Sequence, residues 1–390
     1  MTNESNILNA VISNQGTPVV MDGELMPVRR FLIAGGGTGG HIFPAIAIAN
    51  ALKAALPNAE FLFIGANGKM EMEKIPQAGY AIKGIDIAGF NRSSVVKNLG
   101  LPFKIIKSFL QVKKIINGFK PHAVIGVGGY STFPVLRYAQ ANSIPTFIHE
   151  SNSFAGKANI LLGKKAKAIF VATNGMEKFF KANKIVVTGN PVRSTIATTT
   201  VSKNVALDFF KLNNTKQTVL VVGGSLGAKS INETIEQHID FFVKNNLQLI
   251  WQTGKLFASK ALEASSHYTN VYTNEFINNM DLAYAAADIV ISRAGAIAIT
   301  ELGIVGKPSI LVPYPHAAED HQTANAQHLV NNNAAIMISD ADVKVKLMDA
   351  ITTLINDTAL QKTFTQNIKK ITTANADTTI ANAIINALNN

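Results

Sequence analysis

The chain has 390 residues, no cysteine and a formal net charge of +11 at pH 7. Its length predicts about two or three domains, and the lack of cysteine excludes disulfides, thiolate nucleophiles and cysteine-based zinc sites. The basic excess favours a negatively charged partner, such as nucleic acid, anionic lipid or a phosphorylated ligand, although a solubilising surface charge would give the same count. No apolar run reaches the roughly 18 residues that a membrane span needs.

Strand-like apolar runs alternate with helical patterns along most of the chain. Residues 1–29 lack the basic start and apolar block of a secretory signal, and we expect a polar, mobile tail there. The alternation that follows is typical of parallel sheets covered by helices. A first series of strands is predicted at residues 30–34, 61–64, 123–127, 146–149, 168–171 and 185–188. A second series is predicted at residues 218–222, 247–252, 271–275, 289–292 and 309–312.

The stretch between the two series, residues 193–204, is rich in Thr and Ser and has little apolar patterning. We expect it to be the approach to a linker between domains. The pattern near the C-terminus is helical, and the last helix is expected to pack back on the first domain. The predicted division is therefore an N-terminal domain at 30–195, a C-terminal domain at 196–370 and a final helix at 371–390.

A glycine-rich turn, Gly35-Gly-Gly-Thr-Gly-Gly-His41, follows the first predicted strand and leads into a helical pattern with Pro44 near its start. Backbone N–H groups at such a helix start, together with the helix dipole, attract phosphate or developing negative charge. His41 adds a side chain that exchanges protons near neutral pH. The turn is a predicted anion site with a candidate base beside it.

The same turn matches the dinucleotide pattern G-x-G-x-x-G at Gly35, Gly37 and Gly40. A nicotinamide or flavin site needs an acidic residue after the second strand for the ribose hydroxyls. Gly65-Ala-Asn67 stands there instead. The sequence therefore disfavours an oxidoreductase.

Two further glycine turns follow predicted strands. One is Gly126-Val-Gly-Gly-Tyr130, and the other lies in residues 218–229, which repeat the strand–turn–helix layout of residues 31–50. A single such turn could be a mere tight connection, but the repetition favours anion sites. It predicts two similar α/β domains with a cleft between the carboxyl ends of their strands.

Residues 288–301 form a candidate nucleotide-binding segment in the second half. Its small-residue turn at Ala294-Gly-Ala296 leaves backbone N–H groups uncovered, which suits a diphosphate. Glu301 follows on the next helix, where its carboxylate could accept hydrogen bonds from the vicinal hydroxyls of a ribose. A solvated helix glutamate is the alternative interpretation.

A polar loop at residues 313–325 follows the last predicted strand. Its Glu319, Asp320 and His321 lack the spacing of metal ligands, and we therefore predict no metal site. Asp320, His321 and Gln322 are instead a donor and acceptor set that suits a polar ligand such as a sugar.

The positive charge is concentrated in part between Lys97 and Lys120, a segment with six lysines, no acidic residue and interleaved apolar residues. A basic amphipathic helix of this kind can lie on an anionic phospholipid surface. The alternative is an ordinary core-facing helix with a lysine-rich outer face. Nucleic acid is disfavoured, because no known binding module accompanies the charge.

Together, these motifs resemble the MurG family of peptidoglycan glycosyltransferases, and they occur in that family's order from about residue 30 to the C-terminus. The segments that carry the resemblance are Gly36-Gly-Thr-Gly-Gly-His41, Gly128-Gly-Tyr130, Glu150-Ser-Asn152, Gly189-Asn-Pro-Val-Arg193, Gly223-Gly-Ser-Leu-Gly-Ala228, Ser292-Arg-Ala-Gly295 and Asp320-His-Gln322. The chain departs from the family pattern at Ser151, Leu226 and Thr323, where Gln is usual.

The resemblance implies a GT-B fold, in which two Rossmann-like, doubly wound α/β domains face a central cleft. It implies an inverting transfer of N-acetylglucosamine from UDP-N-acetylglucosamine to the C4 hydroxyl of the muramoyl sugar of lipid I, which forms lipid II. It further implies no cofactor and no nucleic acid, and a peripheral position on the cytoplasmic face of the bacterial inner membrane. Other cell-wall synthesis and division proteins are the remaining implied partners.

The family's roles carry over to the matching positions of this chain. The implied donor-binding residues are Thr38, Gly39, Gly40, Asn152, Arg193, Ser225, Ile277, Ala296, Ile297, Ala298, Ile299, Thr300, Glu301 and Gln322. The implied acceptor-diphosphate residues are Gly37, Gly128, Gly129 and Tyr130. Within the donor set, Arg193 and the backbone at Ile277 would meet the uracil, and Glu301 would hold the ribose.

His41 is the candidate catalytic base, because the attacking hydroxyl needs a proton acceptor as its new bond forms. The alternative is that His41 only shapes the glycine turn or binds the acceptor diphosphate. Of the other function classes, a UDP-N-acetylglucosamine epimerase would share the architecture but need no lipid acceptor. A non-catalytic membrane-binding protein would explain the basic segment but not the glycine turns.

Overall fold

The computed structural model describes residues 20–21, 24–25, 28–87, 101–197, 199–224, 226–317 and 320–389. Near the N-terminus, β1 (Val20–Met21) and β2 (Glu24–Leu25) pair as an antiparallel hairpin. The hairpin falls within the expected tail at 1–29, so that part of the segment has regular structure. The rest of the segment up to residue 27 lies outside the described residues.

The first predicted series of strands forms a seven-stranded sheet in which all neighbouring strands are parallel. Its strands are β3 (Arg30–Gly35), β4 (Glu60–Ala66), β5 (Ala81–Ile85), β6 (Ala123–Gly128), β7 (Thr146–Glu150), β8 (Ala168–Val171) and β9 (Ile185–Val187). Their spatial order is β5-β4-β3-β6-β7-β8-β9. The sequence does not predict β5, because this edge strand has a broken apolar pattern and buries only Ile85.

Helices connect these strands and cover both faces of the sheet. They are α1 (Gly39–Ala55), α2 (Glu71–Gln77), α3 (Leu101–Phe119), α4 (Thr132–Ala141) and α5 (Lys157–Gly163). Alternate residues of the central strand β3 face opposite sides: Phe31 and Ile33 pack in the core with α1, whereas Leu32 and Ala34 pack in the core with α3 and α4. A strand that is buried on both faces needs the continuous apolar run found here.

The second predicted series forms a six-stranded parallel sheet with the order β12-β11-β10-β13-β14-β15. Its strands are β10 (Gln217–Val222), β11 (Leu247–Gln252), β12 (Val271–Asn274), β13 (Ile289–Ser292), β14 (Ser309–Leu311) and β15 (Ile336–Met337). β15 has two residues, which is too short for a sequence pattern to indicate. The surrounding helices are α6 (Ser194–Ala197), α7 (Lys203–Phe209), α8 (Lys229–Gln237), α9 (Ile239–Lys244), α10 (Ala258–Ser265), α11 (Met280–Ala286), α12 (Ala296–Val305), α13 (His321–Asn331), α14 (Val343–Asn356) and α15 (Thr358–Lys370). The chain ends with a further helix, α16 (Ala376–Asn389), which does not belong to this group.

Residue 198 lies outside the described residues, but the rest of the stretch 193–204 is more ordered than the linker that its composition predicts. It contains α6 and the start of α7, and Ile196 is buried in the core of the C-terminal sheet. A four-residue helix with one buried aliphatic side chain leaves no periodic signal, which explains why the sequence pattern missed it.

The C-terminal helix α16 lies against the N-terminal domain. Its Ile380, Ala381 and Ile384 are buried in the same core as Ile42 and Ile48 of α1. The chain therefore returns to the first sheet after completing the second. Within the described residues, no helix is both long and apolar enough to cross a membrane.

Candidate active site

The glycine turns lie where the strand order reverses in each sheet. The N-terminal sheet extends in opposite directions from the neighbours β3 and β6, and the C-terminal sheet does so from β10 and β13. The turns that follow these four strands are the ones singled out in the sequence. In open α/β sheets, ligands bind outside the carboxyl ends of the strands at such reversal points. The fold therefore gives each domain one candidate binding crevice.

His41 lies in the first turn of α1, beside the glycine turn that precedes this helix. Its Nδ1 is 3.0 Å from the carbonyl oxygen of Gly36. A carbonyl oxygen only accepts hydrogen bonds, so Nδ1 carries the proton in this contact, and a neutral imidazole then has its accepting lone pair on Nε2. The geometry thus provides a ring nitrogen that can accept a proton.

The turns after β3 and β6 pack against each other around His41. The N–H of Gly36 donates to the carbonyl oxygen of Gly128 at 3.2 Å. A Cβ at Gly128 would lie 2.6 Å from Cδ2 and 2.7 Å from Nε2 of His41, and the φ of +106° at Gly128 favours glycine as well. Gly129 has a φ of +91° and faces the backbone of Gly36. These glycines let the two turns approach closely.

Glu71 holds the first glycine turn, although sequence reasoning did not single it out. Its side chain is buried; Oε2 accepts the N–H of Gly37 at 2.8 Å, and Oε1 accepts that of Ala66 at 2.9 Å. The resemblance assigns Gly37 to the acceptor diphosphate, and the structure shows that its N–H is engaged by Glu71. The sequence feature that could have indicated this role is the pair of glycines Gly36 and Gly65, because their lack of side chains makes room for Glu71.

His149 is a buried histidine at the carboxyl end of β7, and sequence reasoning did not assign it a role. Burial lowers the pKa of His149 to about 4, and the nearby His41 lowers it too, against a hydrogen bond to the backbone of Gly189 that raises it. His149 is therefore neutral at physiological pH. His41, which is only partly buried, is the more accessible of these two histidines.

The buried carboxylate of Glu150 organises the loop that carries Asn152. Its Oε1 accepts hydrogen bonds from the backbone N–H of Asn152 at 3.1 Å and from its side-chain amide at 3.3 Å. Its Oε2 accepts from the N–H of Gly156 at 3.1 Å and from the amide of Asn159 at 2.8 Å. Glu150 thus fixes the orientation of Asn152, a predicted donor contact.

Arg193 and Glu301, two of the predicted donor contacts, form an ion pair. Nε and Nη2 of Arg193 lie 3.1 and 3.0 Å from Oε1 of Glu301. The hydroxyl of Tyr284 donates to Oε2 at 3.1 Å, and the pKa of Tyr284 is raised well above its usual range, mainly by burial and also by Glu301. The guanidinium of Arg193 also lies 4.5 Å from the ring centroid of Phe43 on α1. The pair therefore joins the two domains.

The predicted uracil contact at Ile277 is positioned by a glutamine. The side chain of Ile277 is buried, and its backbone N–H donates to Oε1 of Gln252 at 3.0 Å. The amide nitrogen of Gln252 donates in turn to the carbonyl oxygen of Gly224 at 3.3 Å. Gln252 therefore ties the Ile277 backbone to the glycine turn after β10.

The predicted diphosphate contacts occupy the start of α12. This helix begins at Ala296, with Ile297 buried and the residues 298–300 partly buried. Thr300 accepts a hydrogen bond from the side-chain amide of Asn190 at 3.2 Å, which forms a second link between the domains. The first N–H groups of a helix have no partner within it, so this end of α12 can bind an anion.

The remaining predicted contacts are placed as follows. Thr38 is the N-cap residue of α1, and Gly39 and Gly40 are its first residues, so the helix itself cannot satisfy their N–H groups. Oε1 of Gln322 accepts the N–H of Tyr314 at 3.0 Å, a contact that does not use the amide N–H groups of Gln322. Tyr130, a predicted acceptor contact, has a side chain that is 51% exposed. Ser225, a predicted donor contact, lies outside the described residues.

A cavity of about 340 Å³ opens between the domains beside Arg193. Phe43 and Lys74 line it from the N-terminal side, and Phe276 and Asn278 line it from the C-terminal side. Lys74 reaches across the opening, with Nζ 4.9 Å from the ring centroid of Phe276. In the part of the chain that the structure describes, no three His, Asp or Glu side chains are grouped so that they could hold a metal ion.

The basic segment predicted between Lys97 and Lys120 corresponds to α3, with Lys97 outside the described residues. Val112 and Ile116 anchor the helix in the core. Phe103, Ile106 and Leu110 are 77%, 61% and 65% exposed. We call these three residues and the exposed Lys104, Lys113 and Lys114 the α3 surface. It combines exposed apolar and positively charged side chains on one helix.

Comparisons with known proteins agree with this architecture. Models of the N-terminal and C-terminal domains of glycosyltransferase family 28 match residues 31–171 and 218–380. A relative from Phocaeicola vulgatus, named UDP-N-acetylglucosamine--N-acetylmuramyl-(pentapeptide) pyrophosphoryl-undecaprenol N-acetylglucosamine transferase, is 47% identical over 358 residues, which cover 91% of this chain and 95% of the relative. The crystal structure of MurG from Acinetobacter baumannii is 27% identical, covers 92% of this chain and 100% of its own, and superposes with a TM-score of 0.69.

A UDP-GlcNAc 2-epimerase from Neisseria meningitidis bound to UDP-GlcNAc superposes with a TM-score of 0.64 at 15% identity, and the alignment covers 92% of this chain and 100% of that one. At this identity the likeness shows the fold alone. The two parallel sheets with glycine turns at their reversal points confirm the predicted GT-B fold of two Rossmann-like domains. The family models and the relative together account for most of the chain, which belongs to glycosyltransferase family 28.

Proposed function

We propose that this enzyme transfers N-acetylglucosamine from UDP-N-acetylglucosamine to the C4 hydroxyl of the muramoyl sugar of lipid I, forming lipid II for peptidoglycan synthesis. The single observation that carries the proposal is the similarity to the Phocaeicola transferase over nine-tenths of the chain. The site chemistry supports it, because helix N-termini in both domains suit a donor and an acceptor that each contain a diphosphate.

The donor is proposed to bind mainly to the C-terminal domain. The start of α12 would receive the diphosphate, with Ser225 and the residues 296–300 around it. Glu301 would accept hydrogen bonds from the ribose hydroxyls, and the carbonyl oxygen of Ile277 would face the uracil. Gln322 and Asn152 would meet the sugar, because the contact of Gln322 with Tyr314 does not use its amide N–H groups and Glu150 holds Asn152 in one orientation. The acceptor diphosphate would lie over the glycine turns that contain Gly37 and Gly128.

The proposed reaction is a single displacement with inversion. The C4 hydroxyl of the acceptor attacks the anomeric carbon of the donor, a new C–O bond forms, and the bond to UDP breaks on the opposite face. Nε2 of His41 would accept the hydroxyl proton, because the hydrogen bond to Gly36 leaves this nitrogen unprotonated. The N–H groups at the start of α12 would stabilise the negative charge that develops on UDP.

The α3 surface is proposed to bind anionic phospholipid, which would place the enzyme peripherally on the cytoplasmic face of the inner membrane. Three exposed apolar side chains on α3 can enter the headgroup region, and the surrounding lysines attract negative lipid charge. Lys104, Lys113 and Lys114 have no ion-pair partner within the described ranges, so their charge is available. The acceptor of the proposed reaction is a lipid, which gives this surface a function.

Incubation with labelled UDP-N-acetylglucosamine, with and without a polyprenyl-diphosphoryl-muramoyl peptide, tests the reaction. We expect label to enter the lipid fraction and UDP to form only when the acceptor is present. Conversion of the donor sugar without acceptor would support the alternative, an epimerase of the same architecture, and would overturn the proposal.

A further inference from the structure

In one peptide group of the glycine turn, both the carbonyl oxygen and the N–H form hydrogen bonds to side chains. The bond between Gly36 and Gly37 contributes a carbonyl oxygen, which accepts the Nδ1–H of His41 at 3.0 Å. The N–H of the same peptide group donates to Oε2 of Glu71 at 2.8 Å. A single peptide unit therefore connects a buried carboxylate to the imidazole of His41.

The position of Glu71 is specified closely by its surroundings. The residue is 1% exposed, and its second oxygen accepts the N–H of Ala66 at 2.9 Å. Gly36 and Gly65 both face the Glu71 side chain, where a Cβ would collide with it. Glu71 forms no ion pair within the described ranges. The two glycines therefore leave room for the Glu71 side chain, and its carboxylate accepts hydrogen bonds from two backbone N–H groups.

We propose that Glu71 is a positioning residue for the transfer reaction, acting on His41 through the Gly36–Gly37 peptide. The carboxylate fixes the orientation of this peptide, so that its carbonyl oxygen points at Nδ1 of His41. That contact selects the tautomer with a proton on Nδ1 and leaves Nε2 to accept the hydroxyl proton. The inference rests on the proposed role of His41 as the base.

The electronic effect acts in the same direction as the geometric one. A peptide group whose N–H is bound to a carboxylate is more polarised, and its carbonyl oxygen becomes a stronger acceptor. The hydrogen bond from Nδ1 of His41 to the carbonyl oxygen of Gly36 is then stronger. This stabilises the imidazole as it gains positive charge during proton transfer. Among the described residues, the buried and neutral His149 interacts electrostatically with His41.

The kinetic experiment compares Glu71→Gln with Glu73→Gln. Glu73 lies on the same helix, two residues away, but is exposed and interacts with Lys74 and Gln77. An amide has one acceptor oxygen, so Glu71→Gln leaves one of the two N–H groups facing an NH2 group. We expect Glu71→Gln to lower kcat about 10- to 100-fold, with KM for UDP-N-acetylglucosamine changed less than about twofold, and Glu73→Gln to leave both unchanged.

A double-variant cycle with His41→Ala separates action through His41 from a general effect on the turn. If Glu71 acts through the imidazole, Glu71→Gln has little further effect on kcat in the His41→Ala background. Equal fold losses in the two backgrounds would overturn the proposal. Glu71→Asp, which keeps the charge, is expected to retain more activity than Glu71→Gln.

The 15N spectrum of the histidine side chains provides a readout that requires no substrate. In the wild-type protein we expect the His41 ring, assigned by its loss in His41→Gln, to carry its proton on Nδ1. Glu71→Gln should convert this signal to a mixture of tautomers. A wild-type ring protonated on Nε2 would overturn the proposal even if the Glu71 variants did not fold. Failure of the transfer reaction itself would appear only in the activity assay, so the two failures are distinguishable.

Discussion

Arg193 and Glu301 are joined by two short contacts, from Nε and Nη2 of the guanidinium to Oε1 of the carboxylate. Oε2 is also occupied, because it lies 3.2 Å from Nη2 and accepts the hydroxyl of Tyr284. A carboxylate has about four lone-pair sites. If Glu301 binds the ribose hydroxyls as proposed, they can reach its carboxylate only when some of these contacts are exchanged.

The first prediction concerns this carboxylate. We expect Glu301→Gln to raise KM for UDP-N-acetylglucosamine about 10- to 100-fold, because hydrogen bonds to a charged group contribute about 1.5–3 kcal/mol each. Steady-state kinetics with varied donor and saturating acceptor measure the change. Glu236→Gln is the matched control, since Glu236 pairs with the exposed Lys260 on the surface and such pairs contribute little. An unchanged KM in Glu301→Gln would contradict the ribose assignment.

The second prediction concerns the base. His41→Ala should lower kcat about 100-fold or more at saturating acceptor, because a positioned base typically contributes about 10²–10⁴-fold. His267→Ala, which removes an exposed histidine on the other domain, should leave kcat unchanged. If His41 only shapes the turn or binds the acceptor, its loss would raise the acceptor KM and leave turnover at saturation nearly intact.

The sequence predicts the fold because both sheets are built from continuous apolar runs, and β8, β11 and β13 begin and end at the predicted residues. It misses β5 and β15, whose apolar patterns are broken or too short. Motifs also indicate the binding crevices, since glycine turns follow the strands at both reversal points. The role of Glu71 could not be predicted, because it depends on contacts between α2 and a turn 34 residues earlier in the chain.

At two of the predicted binding residues, the structure shows hydrogen bonds within the protein that a sequence motif does not indicate. The resemblance carries roles to Gly37 and Ile277, but the structure shows that the N–H groups of both already bind protein acceptors, Glu71 and Gln252. A motif specifies residue types in order along the chain. It does not specify which hydrogen-bonding groups the folded protein has already used, since this depends on residues far away in sequence. The roles themselves stay predictions.

The third prediction concerns stability at low pH. The folded state holds His149 with its pKa lowered to about 4, whereas the ordinary value is 6.5. Between these values the unfolded state binds more protons, so the free energy of unfolding falls as the pH falls through this window. The full loss of stability is about 3 kcal/mol and is reached below the folded-state pKa. Above the ordinary pKa of 6.5 no stability is lost, because His149 is then neutral in both states.

Urea unfolding of the wild type and of His149→Gln at pH 7.5 and at pH 5 checks this difference; the pH values span about one unit or more on either side of the ordinary pKa. The wild type should lose about 2 kcal/mol more than the variant between the two conditions. Because both proteins share their other titrating groups, the difference isolates His149. Equal losses in the two proteins would show that His149 does not remain neutral in the folded state.

The fourth prediction concerns the α3 surface. Leu110→Ser should weaken binding to vesicles that contain anionic phospholipid about tenfold, because it removes one exposed apolar side chain from the contact. Val345→Ser is the control, since Val345 is 78% exposed on α14 of the other domain. Co-sedimentation at rising salt should also show that binding decreases as lysine charge is screened. Equal binding of all three proteins would argue that membranes contact another face.

The last prediction separates steric contact from backbone strain in the glycine turns. Gly128 and Gly68 both have positive φ, +106° and +70°, but a Cβ at Gly128 would strike the ring of His41, whereas a Cβ at Gly68 would meet nothing within 4 Å. Gly68→Ala should therefore cost only backbone strain, about 1–2 kcal/mol of stability, and leave kcat unchanged. Gly128→Ala should cost more strain than this, because a φ of +106° lies outside the left-handed region that other residues adopt. It should in addition lower kcat more than about tenfold, because the ring must move away from the position in which Nε2 can accept a proton. Thermal unfolding and kcat, measured on both variants, distinguish the two effects. Equal kcat in the two variants would mean that His41 can be displaced without loss of turnover, and the assignment of Nε2 as the proton acceptor would then be wrong.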